Sequence, residues 1–365
     1  MDFDLSPEQV AIQRSVRDFL GARSDMRAVR RQAEARTYDS ALWPAIVAQG
    51  WSGIAVAEGD GGAGLGHVEL ALVAEEFGYA CAPSPFFSNS AALLMLAAAE
   101  AEQRARWLPG LLGGSSTGAV GTVLRNGSAL VPDAGAADVL VLVEGAEAGG
   151  TEAAAGASAA SDSAGGGVTS GVRAWLVPRA QVHVEPIAAI DITRPYFSVR
   201  FEPGAGESLE LRGDVAGALD TVELLLSAEL TGVAARAMEM AVQYAKDRTQ
   251  FGRPIGAYQA VSHRCADMLL AVESSRSATY YAAWTADAEP HSLRQAASVA
   301  KATAAETGWR VTSSSLQVHG GIGFTWEHDL QFLLKRAAAD ARLFGSVSLH
   351  RDRVAQGFGL APPAG

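Results

Sequence analysis

The chain has 365 residues, of which 48% are hydrophobic and 19% charged, with a formal net charge of −11. That length suits two to three domains with a sizeable core, and the balance excludes wholesale disorder. The acidic surplus disfavours a nucleic-acid backbone or an anionic membrane as partner, because both are bound by clustered Lys and Arg.

The apolar run 91–99 stops at Glu100, well short of the about 20 residues a spanning helix needs. Met1-Asp2-Phe3-Asp4 is acidic with no apolar stretch behind it, so no secretory signal is expected. Cys81 and Cys265 alone cannot build a disulfide framework or a zinc site. The expectation is a cytoplasmic globular protein with no structural metal.

Ser6-Pro7-Glu8-Gln9 reads as a helix start: a hydroxyl cap, proline at the first helical position, glutamine three residues after the cap. Val10, Ile12, Val16, Phe19 and Leu20 then follow the 3.6-residue period. Glycines punctuate 50–66, a periodic segment covers 67–77, and an Ala-rich apolar segment covers 88–107. At least four helices are expected before about residue 112.

The middle changes character. Residues 137–143 and 172–178 are β-branched and apolar, while 182–186 and 197–201 alternate apolar and polar. They predict strands of a small antiparallel sheet. Residues 145–171 are almost wholly Gly, Ala, Ser, Thr and Glu, a composition that buries too little apolar surface to offset ordering, so a flexible loop is expected. Helical segments resume at about 215, with long helices over 224–247, 259–286 and 293–316 and a fourth segment over 330–357. The sequence thus predicts an α+β chain: a helical domain over 1–115, an antiparallel β domain over 116–212 and a C-terminal four-helix bundle over 213–365.

Residues 248–268 read RTQFGRPIGAYQAVSHRCADM, at the corner where one long helix ends and another begins. Arg248 projects from the last turn, Gln259 from the next first turn, and Phe251 offers a flat face between them. A guanidinium placed there can fork onto a pyrophosphate; an ordinary interhelical corner with a solvated arginine reads equally from these residues. In Gln317-Val318-His319-Gly320-Gly321-Ile322-Gly323 the paired glycines let backbone approach a ligand and expose N–H donors, though such runs are also common helix ends. His319 by itself reads as a hydrogen-bonded structural histidine, with no triad around it.

Together, and in this order, the two stretches resemble the C-terminal domain of the acyl-CoA dehydrogenase family. Gly50-Trp51-Ser52-Gly53-Ile54-Ala55-Val56, Gly61-Gly62-Ala63-Gly64-Leu65-Gly66, Ala74-Glu75-Glu76-Phe77-Gly78 and Ala82-Pro83 are similar to its helical first domain. Asp191-Ile192-Thr193-Arg194 is similar to its Asp-x-Thr-Arg turn, so the resemblance covers nearly the whole chain. It implies a tetramer with FAD between the C-terminal domains of paired subunits. Arg248, Phe251 and Gln259 would hold the adenosine-diphosphate half; Gln317, Gly320 and Gly321 fall on the partner-facing positions, and Ser346 on a cofactor position. The implied reaction is α,β-dehydrogenation of an acyl-CoA thioester, with electrons passed to an electron-transferring flavoprotein. A carboxylate removes the α-proton while the thioester carbonyl takes hydrogen bonds.

The chain departs from this pattern at the base. The family's Glu-Gly-Thr element falls here on Phe344-Gly345-Ser346, and a phenyl ring accepts no proton. Members that place the base on the first long C-terminal helix point to Val222, next to Glu223, which is the surviving candidate; Glu223 also reads as a first-turn carboxylate favoured by the helix dipole. Glu229 and Asp340 read as structural. The family's Thr-Glu-Pro-x-x-Gly-Ser-Asp loop over the flavin falls on 122–132, TVLRNGSALVP, without its acid. Leu94, Tyr79 and Phe86 are candidates for lining an acyl-tail pocket.

Three functions are consistent with the resemblance: a dehydrogenase using Glu223, a non-catalytic subunit paired with a catalytic homologue in a mixed tetramer, or a dehydrogenase of acyl groups on acyl carrier protein. A flavin-free binding module leaves both corners unexplained.

Overall fold

The computed structural model describes residues 4–124, 126–145, 171–202 and 206–360; most of the segment expected to be a flexible loop lies outside them. The first helix, α1 (Pro7–Arg23), starts as the sequence dictates: Ser6 Oγ accepts from the Gln9 amide and Gln9 Oε1 accepts from the Ser6 amide. It is followed by α2 (Met26–Ala35), α3 (Leu42–Val47), α4 (His67–Ala80), α5 (Phe86–Ala97) and α6 (Ala101–Leu112). The Ala-rich apolar segment over 88–107 is therefore divided between two helices. The chain turns at Ala99, which bridges to Leu211, and Glu100 caps a new helix.

A seven-stranded sheet follows: β1 (Gly118–Val123), β2 (Ser128–Pro132), β3 (Val139–Glu144), β4 (Arg173–Pro178), β5 (His183–Ile187), β6 (Tyr196–Arg200) and β7 (Glu207–Ser208), in the order β5-β6-β2-β1-β3-β4-β7. It is mixed rather than antiparallel throughout, because β1 and β3 run parallel, Gly118 opposite Val139. Residues 122–132 do not overhang the sheet. The described residues of this span are the end of β1 and β2, paired Thr122 to Leu130, with the Leu124 amide donating to Ser128 O at 2.7 Å.

The C-terminal bundle comprises α7 (Val215–Asp247), α8 (Gln259–Ala288), α9 (Leu293–His319), α10 (Leu330–Asp340) and α11 (Val347–Gly357). The segment expected as one helix over 330–357 is broken, because Phe344 takes the left-handed conformation at φ 55° and Gly345 sits at φ 117°. This order of helical, sheet and helical layers is the α+β architecture the sequence predicts. No described helix is long and apolar enough to cross a membrane.

Two contacts join the parts. Gly78 on α4 and Gly232 on α7 let the helix backbones touch: a Cβ at Gly78 would lie 2.0 Å from Glu229 O, and one at Gly232 1.8 Å from Glu75 O. The second is a buried charge network. Arg336 on α10 donates through Nε to Asp191 (2.6 Å), through Nη1 to Glu229 (2.5 Å) and through Nη2 to Thr193 (2.6 Å). Arg194, from the turn before β6, forks onto both oxygens of Glu229 (2.7 and 2.8 Å) and reaches Asp340 at 3.0 Å. All five charged groups are at most 3% exposed.

The proposed tail-lining residues do not converge on an opening. Phe86 is buried and stacked on Phe77 with ring centroids 3.8 Å apart, and Leu94 is core. Tyr79 faces the other way, between Arg17 and Arg236, donating to Glu239 at 2.5 Å. An apolar helix face packs against a core as readily as around a ligand. Substituting Gly232→Ala forces α4 and α7 apart, so it is expected to lower unfolding stability by about 1–3 kcal/mol, the usual cost of overpacking. Urea unfolding of the variant measures it.

Candidate functional site

The corner after α7 is a two-residue ladder, β8 (Thr249–Gln250) against β9 (Arg253–Pro254), with Phe251 and Gly252 at its tip. Phe251 has φ 52° and is 92% exposed. Arg248 caps α7 and Gln259 opens α8, as the sequence predicts, and both side chains are exposed. Neither makes a hydrogen bond or ion pair among the described residues. The second corner lies at the same end of the bundle: Tyr244, one turn before Arg248, packs on the His319 ring at 4.7 Å. Gln317 is exposed, Gly320 adopts φ 62°, and nothing lies within 4 Å of a Cβ built on Gly320 or Gly321. His319 is 4% exposed, with Nδ1 at 2.8 Å from Ser315 O and its ring on His328. The two corners thus offer an uncommitted guanidinium, two free amides, a bare aromatic face and open backbone. That set suits a diphosphate and a purine ring. The residues present therefore fit the adenosine-diphosphate end of FAD.

The loop that carries the family's base is held from below. Lys301, fully buried in α9, donates to the carbonyls of Asp340 (3.3 Å), Ala341 (3.3 Å) and Gly345 (3.4 Å). His350 Nε2 lies 3.2 Å from Phe344 O, which completes the support. The Phe344 ring itself is 8% exposed and packs 6.4 Å from Phe87. Phe87 in turn lies under the Arg194 guanidinium at 4.6 Å. Ser346 serves as the cap of α11, its Oγ accepting from the Leu349 amide at 3.2 Å.

Glu223 lies just beneath this loop, with no exposed surface. Arg353 Nη1 donates to both its oxygens at 3.0 and 3.2 Å, and His350 Nδ1 is 3.8 Å away. Burial raises the Glu223 pKa and Arg353 opposes that rise. Burial and Glu223 together push Asp220, one turn earlier, up to about 8. Burial brings Lys301 down to about 8 and His350 down to about 3. Glu229 behaves oppositely: burial works against its charge, but Arg194 and Arg336 overcome that and hold its carboxyl below the ordinary range. Asp340, with less of the arginines, is raised by burial to about 7.

Lys301, His350 and Arg353 carry this arrangement and were not singled out by the sequence. A signal exists for each: Lys301 is a lone charge amid Ala-Ser-Val-Ala and Ala-Thr-Ala-Ala, and His350 and Arg353 share one face of α11 at i, i+3.

A helical domain, a sheet and a helical bundle that ends in two exposed glycine-bearing corners form the subunit plan of the acyl-CoA dehydrogenase fold. Residues 6–115 match the acyl-CoA dehydrogenase N-terminal domain and residues 215–359 the acyl-CoA dehydrogenase C-terminal domain. The chain belongs to the acyl-CoA dehydrogenase family. It is 33% identical to acyl-CoA dehydrogenase IpdE2 of Mycolicibacterium smegmatis over 343 residues, 93% of this chain and 96% of the relative. The protein of the same name from Mycobacterium tuberculosis is 34% identical over 315 residues, 86% of this chain and 85% of that one. Among solved structures, the ChsE4-ChsE5 complex of Mycobacterium tuberculosis superposes with a TM-score of 0.82 at 22% identity, over 99% of this chain and 100% of that one.

Asp220 gives the site a pH signature. Its pKa rises from 3.8 to about 8 on folding, so the folded state holds the proton and the stability from this group declines as pH climbs from about 4 through 8. The groups facing it are Glu223, Arg353, Arg294 and Asp214. The melting temperature of Asp220→Asn relative to the unaltered chain is therefore expected to increase steadily between pH 5 and pH 8. A pH-independent difference would contradict this assignment.

Proposed function

We propose that this chain is the FAD-contacting, base-lacking subunit of an assembly that dehydrogenates an acyl-CoA thioester, with the α-proton taken by a carboxylate of a homologous partner. One observation carries the reading: no candidate acid among the described residues is both free and reachable. Phe344 fills the base position, Glu223 is sealed under Arg353, Glu229 is bound by buried arginines, and Asp340 is held by Arg194 through Oδ1 while its unpartnered Oδ2 lies in the closed core. The pairing of β1 with β2 agrees, since it commits 122–123 and 129–130 to a sheet ladder.

FAD would supply the hydride-accepting chemistry. This chain's part is positional. Arg248 and Gln259 would hold the diphosphate end, Phe251 would offer a flat face to a ring, and Gln317, Gly320 and Gly321 would offer the partner-facing contacts. The subunits assemble as a tetramer of two unlike pairs, and electrons leave to an electron-transferring flavoprotein. Support for a mixed assembly comes from fold neighbours described as two-component, the ChsE4-ChsE5 complex and the Tcur3481-Tcur3483 steroid acyl-CoA dehydrogenase. An acyl group on acyl carrier protein would use the same corners.

A second reading makes Glu223 the base of a self-sufficient enzyme. Its favouring observation is placement: Glu223 sits one histidine away from Phe344 O, and burial raises its proton affinity. Arg353 would then have to swing aside.

Co-expression with a homologue that carries Glu at the position of Phe344 separates the two. The proposal predicts a colourless chain when purified alone and a yellow complex whose flavin is bleached anaerobically by an acyl-CoA, with Glu223→Gln bleaching as fast as the unaltered chain. A yellow chain alone, bleached by acyl-CoA and silenced by Glu223→Gln, establishes the second reading instead.

A further inference from the structure

The N-terminal turns of α7 and α9 meet the middle of α11 around a cavity of about 260 Å³, lined by Asp220, Arg294, Leu349, Asp352, Arg353 and Gln356 among others. From Asp220 to Arg248 the helix climbs about 42 Å at 1.5 Å per residue, so this opening lies at the far end of the bundle from the flavin-suited corners. Its polar groups are under-used. Arg294 is exposed and makes no hydrogen bond or ion pair among the described residues. Arg353 donates to Glu223 through Nη1 alone, which leaves Nε and Nη2 without an acceptor among them.

Asp220 is the most telling member. It is only 3% exposed, its carboxyl takes no hydrogen bond among the described residues, and its nearest cation, Arg353 Nη1, is 3.9 Å away. A buried polar group left without a partner costs free energy and marks a place where a partner belongs. Held protonated at neutral pH by its pKa of about 8, it presents an O–H to donate rather than a charge that repels. The Arg353 charge is matched by Glu223 behind it, and Asp352 is the exposed carboxylate at the rim, opposite Arg294.

We propose that this cavity binds an oxyanion, a carboxylate or a phosphate, with Arg294 and Arg353 as paired guanidinium donors and the Asp220 carboxyl as a third donor. The volume is many times the ~10–15 Å³ that one water needs, room for the anionic group and a short stem. Leu349 and the methylenes of Gln356 supply the wall for that stem. The site lies away from the flavin-suited corners and uses Arg353 as it stands, paired with Glu223.

The probes are inorganic phosphate and butanoate, each titrated at pH 7 and constant ionic strength into the unaltered chain, or into its complex if the chain is unstable alone. Melting temperature and the arginine Nε–H resonances are followed. A saturable rise with either probe, weakened at least tenfold in affinity by Arg294→Gln and by Asp220→Ala but retained in Asp220→Asn, whose amide still donates, supports the site. Phosphate as the stronger ligand assigns it to phosphate esters, and butanoate to organic acids. Arg294 is exposed and makes no hydrogen bond or ion pair among the described residues, so Arg294→Gln is expected to fold and its complex to retain the same flavin content, which separates failure here from failure of the proposed function. No saturable response to either probe, or an equal response in Arg294→Gln, overturns the proposal.

Discussion

Two arginines in the dry interior set the terms for the rest of this molecule. Arg194 and Arg336 cannot lose their charge, and a buried guanidinium without carboxylates around it costs several kcal/mol, roughly 3–5 when one partner of such a pair is removed. Asp191, Glu229 and Asp340 answer them from three separate parts of the chain, the turn before β6, the middle of α7 and the end of α10. The sheet is thereby tied to the bundle in one register. The close glycine approach of α4 and α7 places Glu229, one turn from Gly232, where both arginines can reach it.

The same arithmetic of charges governs the chemistry. A general base must have a free lone pair and space for a substrate proton. Here the interior acids near the family's reaction centre either balance arginines or, like Asp220, retain a proton at neutral pH. Phe344 adds an apolar contact to the core at the position where the family resemblance implies a carboxylate. Yet the support beneath that loop is intact: Lys301 still binds three carbonyls and His350 a fourth. A loop kept in shape without its acid, together with corners kept open for a dinucleotide at the other end of the bundle, fits a subunit selected to hold rather than to react.

Much of the fold was legible because local signals agreed with the tertiary outcome. The Ser6–Gln9 capping pair, the long apolar periods of α7 to α9 and the β-branched runs of β3 and β4 each point one way. β1 and β2 were hidden because Gly118, Gly121 and Pro132 are poor strand formers, tolerated here by pairing with β3 and β6. The break at Phe344 was hidden because Ala341, Leu343 and Phe344 are acceptable in a helix; the left-handed turn is imposed by Lys301 and His350, far away or on the next helix. At the candidate site the two corners could be read, since exposed Arg, Gln, Phe and Gly in short order have few structural reasons to exist. The Glu223–Arg353 pair could not, because 130 residues separate its members.

The central claim is that this chain carries no competent base for an acyl thioester. It is tested most directly by α-proton exchange, which needs no flavin turnover. The chain alone is incubated with a saturated acyl-CoA in D₂O at pH 7.5, and deuterium at the α-carbon is read by mass spectrometry. Exchange no faster than in buffer is the predicted result. Exchange well above buffer that disappears in Glu223→Gln would contradict the account and return the base to α7.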